Sequence, residues 1–362
     1  MAYETDSTGA ETDLGSMMND PESSTQPLAP DGARDGTRLA RVAVCIATYR
    51  RPTELRKLLE TVGGQILPEH YELQIRVVDN DADGSAREVV DAASLPPAVR
   101  SRLTYVIETE RGIAEARNRA LDIGPAEFYV FVDDDEWVEE RWLESLLETA
   151  EHHRGDVVLG PVTGILPSGA PKWMERGGFF NKETGQTGTI LDWTGTRTSN
   201  TLVRGTWMVA DAPAAKTPAM RFDRSFSRSG GSDCELFRRM EDLGAKFVAC
   251  EEARVFEFVE PERASLGWLT KRFYRTGLVY HRIAHDQNPT LRLLKRLLRI
   301  SYTTLTAMPQ LLTGKVERLV RARLQWSVMK GGFDAARSAD TATSWVEYKD
   351  KTLPSATDQP KH

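Results

Sequence analysis

Cysteine is scarce in this chain, with Cys45, Cys234 and Cys250 the only three among 362 residues and no regular spacing between them. So sparse and odd a set gives neither a disulfide framework nor a zinc site, and a reducing cytosol is the expected compartment. Long apolar runs are missing as well: no stretch of about eighteen or more apolar residues exists to make a membrane-spanning helix. No basic start followed by an apolar run marks a secretory signal. Positive charge is in slight deficit, 47 Lys and Arg against 53 Asp and Glu, and the net charge of −6 argues against nucleic acid as a partner. Residues 1–38 hold almost no large apolar side chains. Such a segment buries too little surface to offset its ordering entropy, so a disordered acidic tail is expected there.

From residue 41 the character changes. Val42 to Ala47 is a short apolar run that reads as a buried strand, and Pro52 opens a helix with Leu55, Leu58, Leu59 and Val62 on one face. Further strands are expected over 73–78, 103–107, 128–132 and 157–162, with helices near 86–93, over 112–121 and after residue 136. Strands alternating with helices predict an α/β fold, a mostly parallel sheet covered by helices on both faces. Residues 164–230 show little periodicity and read as binding loops. Helices return over 233–243 and about 264–284.

The chemistry concentrates where strands end. Phe131-Val132-Asp133-Asp134-Asp135-Glu136-Trp137 places three adjacent carboxylates directly after an apolar strand. They repel one another unless a cation neutralises them, and hard oxygen ligands suit Mg²⁺ or Mn²⁺. Ligands of open parallel sheets bind beyond the carboxyl ends of the strands, where these residues lie. A solvated acidic loop favouring the next helix dipole is the competing reading. Two other strand ends join them: Ala47-Thr48-Tyr49-Arg50-Arg51-Pro52 and Asp79-Asn80-Asp81. A hydroxyl, an aromatic ring and a carboxylate there suit a base and ribose, although Asp and Asn also serve turns. Arg117 is placed to meet a diphosphate.

Together these segments, with Gly112 to Leu121 and Gly230-Gly231-Ser232-Asp233-Cys234-Glu235, resemble the family 2 glycosyltransferases, inverting enzymes of the GT-A fold. The likeness runs from about Val42 to Gly277 and is closest to the branch that assembles bacterial exopolysaccharides such as succinoglycan. It implies that Thr48, Tyr49, Arg50 and Asp79 cradle the nucleotide, with Arg117 beside base and phosphates. It implies that Asp133 and Asp134 serve ribose and metal, Asp135 ligates Mn²⁺ or Mg²⁺ directly, and Asn200 lies near the donor sugar. Asp233 matches the base that deprotonates the acceptor hydroxyl. Relatives often carry Glu before that Asp, where this chain has Ser232, and an N-cap role competes for Asp233. Glu235 is a second candidate base. The implied reaction moves a sugar from a nucleotide diphosphate, a uridine diphosphate sugar, to a saccharide acceptor that is lipid-linked. A sugar-1-phosphate nucleotidyltransferase is the alternative enzyme, but the loop at 48–52 lacks its glycines. A non-catalytic glycan- or nucleotide-binding protein is the alternative outside catalysis.

Other features are weaker. Trp173, Phe179, Phe180, Trp193 and Trp207 suit either a sugar-stacking platform or ordinary packing. Arg263, Trp268, Arg272 and Arg275 are similar to residues near the family's diphosphate site. His281 and His285 lack the third ligand of a helical zinc site. Over 291–330, nine Lys or Arg stand against Glu317 alone, interleaved with apolar residues. This pattern suits either an amphipathic helix on an anionic membrane surface or a helix pair with a solvated basic face. The expected organisation is a tail over 1–38, a GT-A catalytic domain over 39–290, a basic helical extension over 291–335 and a flexible tail over 336–362. The expected location is cytoplasmic, peripheral on the inner face of the membrane.

Overall fold

A computed structural model describes residues 39–209, 219–227, 230–284, 289–311 and 315–337. The tail expected over 1–38 lies outside the described residues, as does His285; of the tail expected over 336–362, residues 336 and 337 are helical and 338–362 lie outside the described residues.

In chain order the elements are β1 (Ala40–Thr48), α1 (Pro52–Gly63), β2 (Tyr71–Asp79), α2 (Arg87–Ala92), α3 (Pro97–Arg100), β3 (Leu103–Ile107) and α4 (Ile113–Asp122). They continue with β4 (Phe128–Asp133), β5 (Glu136–Val138), α5 (Trp142–His152), β6 (Val157–Leu159), β7 (Val162–Ile165) and α6 (Lys172–Gly177). The remainder is β8 (Ile190–Leu191), β9 (Thr201–Arg204), α7 (Ser232–Asp242), β10 (Phe247–Ala249), β11 (Val255–Phe258), α8 (Leu266–Ile283), α9 (Pro289–Leu311) and α10 (Glu317–Arg337).

The main sheet runs β3-β2-β1-β4-β9-β6-β10-β8. Its first four strands are parallel, which the apolar run of β1 requires: Val42, Val44 and Ile46 point to one face, Ala43 and Cys45 to the other, and all are buried. The side of Val42, Val44 and Ile46 packs with Leu55, Leu58, Leu59 and Val62 of α1 and with Trp142 of α5, and the opposite side packs with α4 and α7. Beyond β4 the sheet becomes mixed, because β9 lies antiparallel between β4 and β6, and β8 antiparallel on β10. The predicted strand over 157–162 is two short strands in different sheets. Gly160 and Pro161 separate them, and Pro161 has no N–H for a ladder. β7 joins β5 and β11 in a second sheet of three strands, order β5-β11-β7. The stretch read as irregular loop therefore supplies the end of β7, α6, β8 and β9, the last a fully internal strand.

At the C-terminal end, α10 crosses α8 at backbone contact. A Cβ on Gly277 would fall 2.0 Å from the Val328 carbonyl oxygen, and one on Gly331 would fall 2.1 Å from that of Tyr274. Tyr274 also donates to Asp334 at 2.9 Å, and Arg321 donates to the Gly177 carbonyl of α6. The helix pair thus docks on the α/β body through α8 and α6, whereas Leu294, Leu298, Tyr302 and Leu305 of α9 stay exposed.

Candidate active site

Strand register brings the predicted residues together. Thr48 at the tip of β1 is paired with Asp79 of β2, and Ala47 with Asp133 of β4, so three carboxyl ends meet side by side. Past β4 the chain turns through Asp134 and Asp135 into β5. Glu136 holds that turn: it is fully buried and accepts the Asp133 backbone N–H at 2.9 Å and the Ser199 hydroxyl.

Each carboxylate of the turn has a different neighbour. Asp134 is buried; the Thr48 hydroxyl donates to one of its oxygens at 2.8 Å and Arg51 to the other at 3.0 Å. The same Arg51 nitrogen, Nη1, donates to Asp135 Oδ2 at 2.9 Å. Asp133 points elsewhere, 3.3 Å from Arg117 Nη2, and is the most open of the three with 40% of its side chain exposed. Burial, with Asp133 next, pushes the Asp135 carboxyl up to about 7 despite Arg51. Burial and the Asp133 charge likewise raise Glu136, and burial raises Asp134.

Glu257 on β11 lies beside Glu136 in register and adds its charge to the environment of Asp135. It is paired with Lys182 at 3.4 Å and Arg263 at 3.3 Å. Arg272 and Arg263 stand 5.3 and 5.9 Å from the Trp268 ring centre, so three of the four weaker candidates on and before α8 do gather at this edge. On the other side is Arg197, whose guanidinium donates to the carbonyls of Gly160, Lys182 and Gly195. Burial draws Arg197 down to about 10, while the charges of Glu136, Asp133 and Asp233 act to raise it. That shared neighbour links the acidic turn to Asp233. Asp233 sits in the first turn of α7, after Gly231 in a left-handed conformation, and accepts the N–H of Cys234 at 2.8 Å. It does not cap the helix: Gly231 occupies that position.

Several candidates occupy structural positions. Asp79 is fully buried, and its carboxylate accepts the backbone N–H groups of Asp81 and Ala86 and the Tyr105 hydroxyl at 3.0, 2.8 and 2.9 Å. Those bonds build the loop after β2 around a buried carboxylate. Asn200 is also fully buried; it accepts from the Trp142 indole at 2.8 Å and donates to the carbonyls of Pro161 and Ala253. It stitches β9 to the loops after β6 and β10 through both polar atoms of its side chain. Glu235 is held by Arg239 Nε and Nη2 at 2.6 and 2.9 Å. Arg50 pairs with Asp81 at 2.8 Å, away from the acidic turn. Its guanidinium and that of Arg111 lie 5.2 and 4.9 Å from the centre of the Tyr49 ring. Phe179, Phe180 and Trp207 are buried, the Trp207 indole on Asp156, so they pack the interior and form no platform.

Arg51, Glu136, Lys182, Arg197 and Glu257 carried no assigned role in the sequence. Arg51 stood within a quoted motif, and Glu136 followed the triplet directly. Lys182 and Arg197 come from the aperiodic stretch, where nothing local marks them. Among the described residues no group of three or more His, Cys, Asp or Glu side chains encloses a metal position. Mg²⁺ and Mn²⁺ at nucleotide sites use one or two carboxylates and complete their shell with substrate oxygens and water. Asp135 and the open Asp133 fit that donor set.

The family described as "Glycosyl transferase family 2" matches residues 43–204. The succinoglycan biosynthesis protein ExoM of Rhizobium meliloti (strain 1021) is 36% identical over 69% of this chain and 77% of its own length. The glucosyl-dolichyl phosphate glucuronosyltransferase of Haloferax volcanii is 23% identical over 69% of this chain and 81% of its own. Among solved structures, S. aureus TarS 1–349 in complex with UDP-GlcNAc is similar with a TM-score of 0.48 at 14% identity, covering 82% of this chain and 92% of that one.

Proposed function

This chain belongs to glycosyl transferase family 2 and is a glycosyltransferase; from that premise we propose that it is an inverting, metal-dependent enzyme using a nucleotide diphosphate sugar, with UDP as the nucleotide. The acceptor is a saccharide, lipid-linked, in bacterial polysaccharide assembly. The observation that carries the reading is the meeting of Asp134, Asp135 and Arg51 at the sheet tips, with the charges of Asp133, Glu136 and Asp233 all acting on Arg197. Asp135, with Asp133, would hold Mn²⁺ or Mg²⁺. Such an ion, when bound, neutralises charge that develops on the departing diphosphate.

The residues of this chain do the rest. Tyr49, with the Arg50 and Arg111 guanidiniums beside its ring, would meet the base, and Arg117 lies beside Asp133 for the ribose and phosphates. Asp233 takes the proton of the acceptor hydroxyl as that oxygen attacks the anomeric carbon. The bond from carbon to the diphosphate oxygen breaks with its electron pair leaving on the nucleotide, so one displacement inverts the anomer. Asp233→Asn tests this: UDP-sugar binding should persist while transfer falls by about 10³-fold or more. Unchanged transfer would remove Asp233 from the role.

Residues 39–290 act as the catalytic unit, and the helices over 291–335 bring it to an anionic membrane surface from the cytoplasmic side. Among the described residues no helix is long and apolar enough to cross a membrane. Supporting a surface role, Leu294, Leu298, Tyr302 and Leu305 make one exposed stripe on α9 at helical spacing, in a sequence that also holds Arg292, Lys295, Arg296 and Arg299. Sedimentation with phosphatidylglycerol vesicles should be lost when Leu298 and Leu305 are both changed to Glu. Retained binding would count against that stripe.

A further inference from the structure

We propose that Arg51 is a resident counter-cation of the acidic turn, which a divalent ion must displace from Asp135, so that the ion binds well only together with a nucleoside diphosphate. The inference rests on the metal-dependent reading above and adds a residue and an order to it.

The geometry is specific. One guanidinium nitrogen, Nη1, stands between two carboxylates, 3.0 Å from Asp134 Oδ1 and 2.9 Å from Asp135 Oδ2. Asp134 does not need Arg51 in order to be placed, since the Thr48 hydroxyl grips its other oxygen and it is buried. Asp135 is the member that Arg51 neutralises, and Asp133 has its own guanidinium in Arg117.

An ion approaching Asp135 alone meets this guanidinium as like charge at close range, in a partly buried setting where screening is weak. An ion arriving with a diphosphate does not. The diphosphate brings negative charge of its own, and its oxygens offer the guanidinium a partner it recognises well. Arg51 can make that exchange. It stands just before Pro52 at the start of α1, its backbone anchored, while a third of its side chain is open to solvent. Arg50, one residue earlier, cannot substitute because it is turned towards Asp81 and Asp83.

Coupling of two ligands is reciprocal, so it can be read without turnover. The measurement is the affinity for Mn²⁺, with and without saturating UDP, by titration calorimetry and by the loss of free Mn²⁺ signal in electron paramagnetic resonance. Arg51→Met should bind Mn²⁺ alone about tenfold more tightly than the unaltered protein, and the gain that UDP confers on Mn²⁺ affinity should shrink by a similar factor. Arg51→Lys, which keeps the charge, should stay near the unaltered values, and Arg50→Met should leave Mn²⁺ affinity without UDP unchanged. Arg51→Gln provides a second neutral variant if the Met variant folds poorly. If folded Arg51→Met or Arg51→Gln binds Mn²⁺ alone no better than the unaltered protein, the inference is overturned while metal dependence stands. If the unaltered protein takes up no Mn²⁺ even with UDP, the metal reading and this inference fall together.

Discussion

The tips of β2 and β4 carry the same kind of residue at the same edge of the same sheet, yet the two loops solve opposite problems. At β2, Asp79 accepts two backbone N–H groups and a tyrosine hydroxyl, and the loop is built around a satisfied carboxylate. At β4, three carboxylates share two guanidiniums and a threonine hydroxyl, and burial raises Asp134 and Asp135 above their ordinary range. Supply of donors separates them. A carboxylate with enough fixed donors is a structural part; a cluster with too few is poised for a cation.

The comparison breaks most sharply on a pair of isosteric changes. Asp135→Asn should leave thermal stability unchanged or slightly raised, because it removes a repelling charge, while sugar transfer falls by on the order of 10³-fold. Asp79→Asn should do the reverse at the level of folding. Its amide cannot accept from all three donors, so urea unfolding should show a loss of about 2–4 kcal/mol. Transfer per folded molecule should fall far less. If both variants lost activity and kept stability, the distinction between the two loops would be wrong.

That distinction was not legible in the sequence, for a physical reason. Val42 to Ile46, Leu55 to Val62 and the triplet after Val132 are local patterns, and local patterns announce strands, helices and strand ends. What a carboxylate touches is settled by residues far away. Tyr105 stands 26 positions beyond Asp79, and Thr48 stands 86 before Asp134. Arg50 and Arg51 make the same point at closer range. They are adjacent and chemically identical, but Arg50 sits at φ +54°, in left-handed backbone, and this sends the two side chains to different loops. β9 was hidden for another reason: it has four residues, and the buried Asn200 before it reads like a loop residue until its three partners are seen.

A second test uses pH on protein stripped of metal by chelation. The Asp135 carboxyl is raised by burial from the ordinary carboxylate range to about 7, and Glu136 is raised in the same direction. From about pH 4 up to about 7 for Asp135 and about 8 for Glu136, the unfolded chain has already lost these protons while the folded chain keeps them, so the folded state binds more protons. Stability must then fall as pH rises through that window and level off above it. Urea midpoints should therefore be higher at pH 5 than at pH 7.5, by about 1–2 kcal/mol in stability once solvent screening is allowed for. Asp135→Asn should flatten the trend and Asp79→Asn should not. A stability that rose with pH over this range would contradict the view of the turn as a set of under-supplied carboxylates.

The smallest expected effect lies between the two loops, at Arg50. Its pair with Asp81 at 2.8 Å is well formed, but more than half of the Arg50 side chain is open to water. An exposed pair of this kind contributes about 0–1 kcal/mol, because solvent screens the attraction and two side chains lose freedom. Arg50→Met should therefore shift the unfolding free energy by no more than about 0.5 kcal/mol. It should, however, remove one of the two guanidiniums beside Tyr49, the ring proposed to meet the base. UDP affinity should drop by about two- to fivefold, the scale of one exposed cation–ring contact. Calorimetry with UDP and with uridine separates the possible causes. An equal loss for both ligands places the effect at the base, whereas a loss confined to UDP would move Arg50 to the phosphates and give the β2 loop a share of the work assigned here to β4.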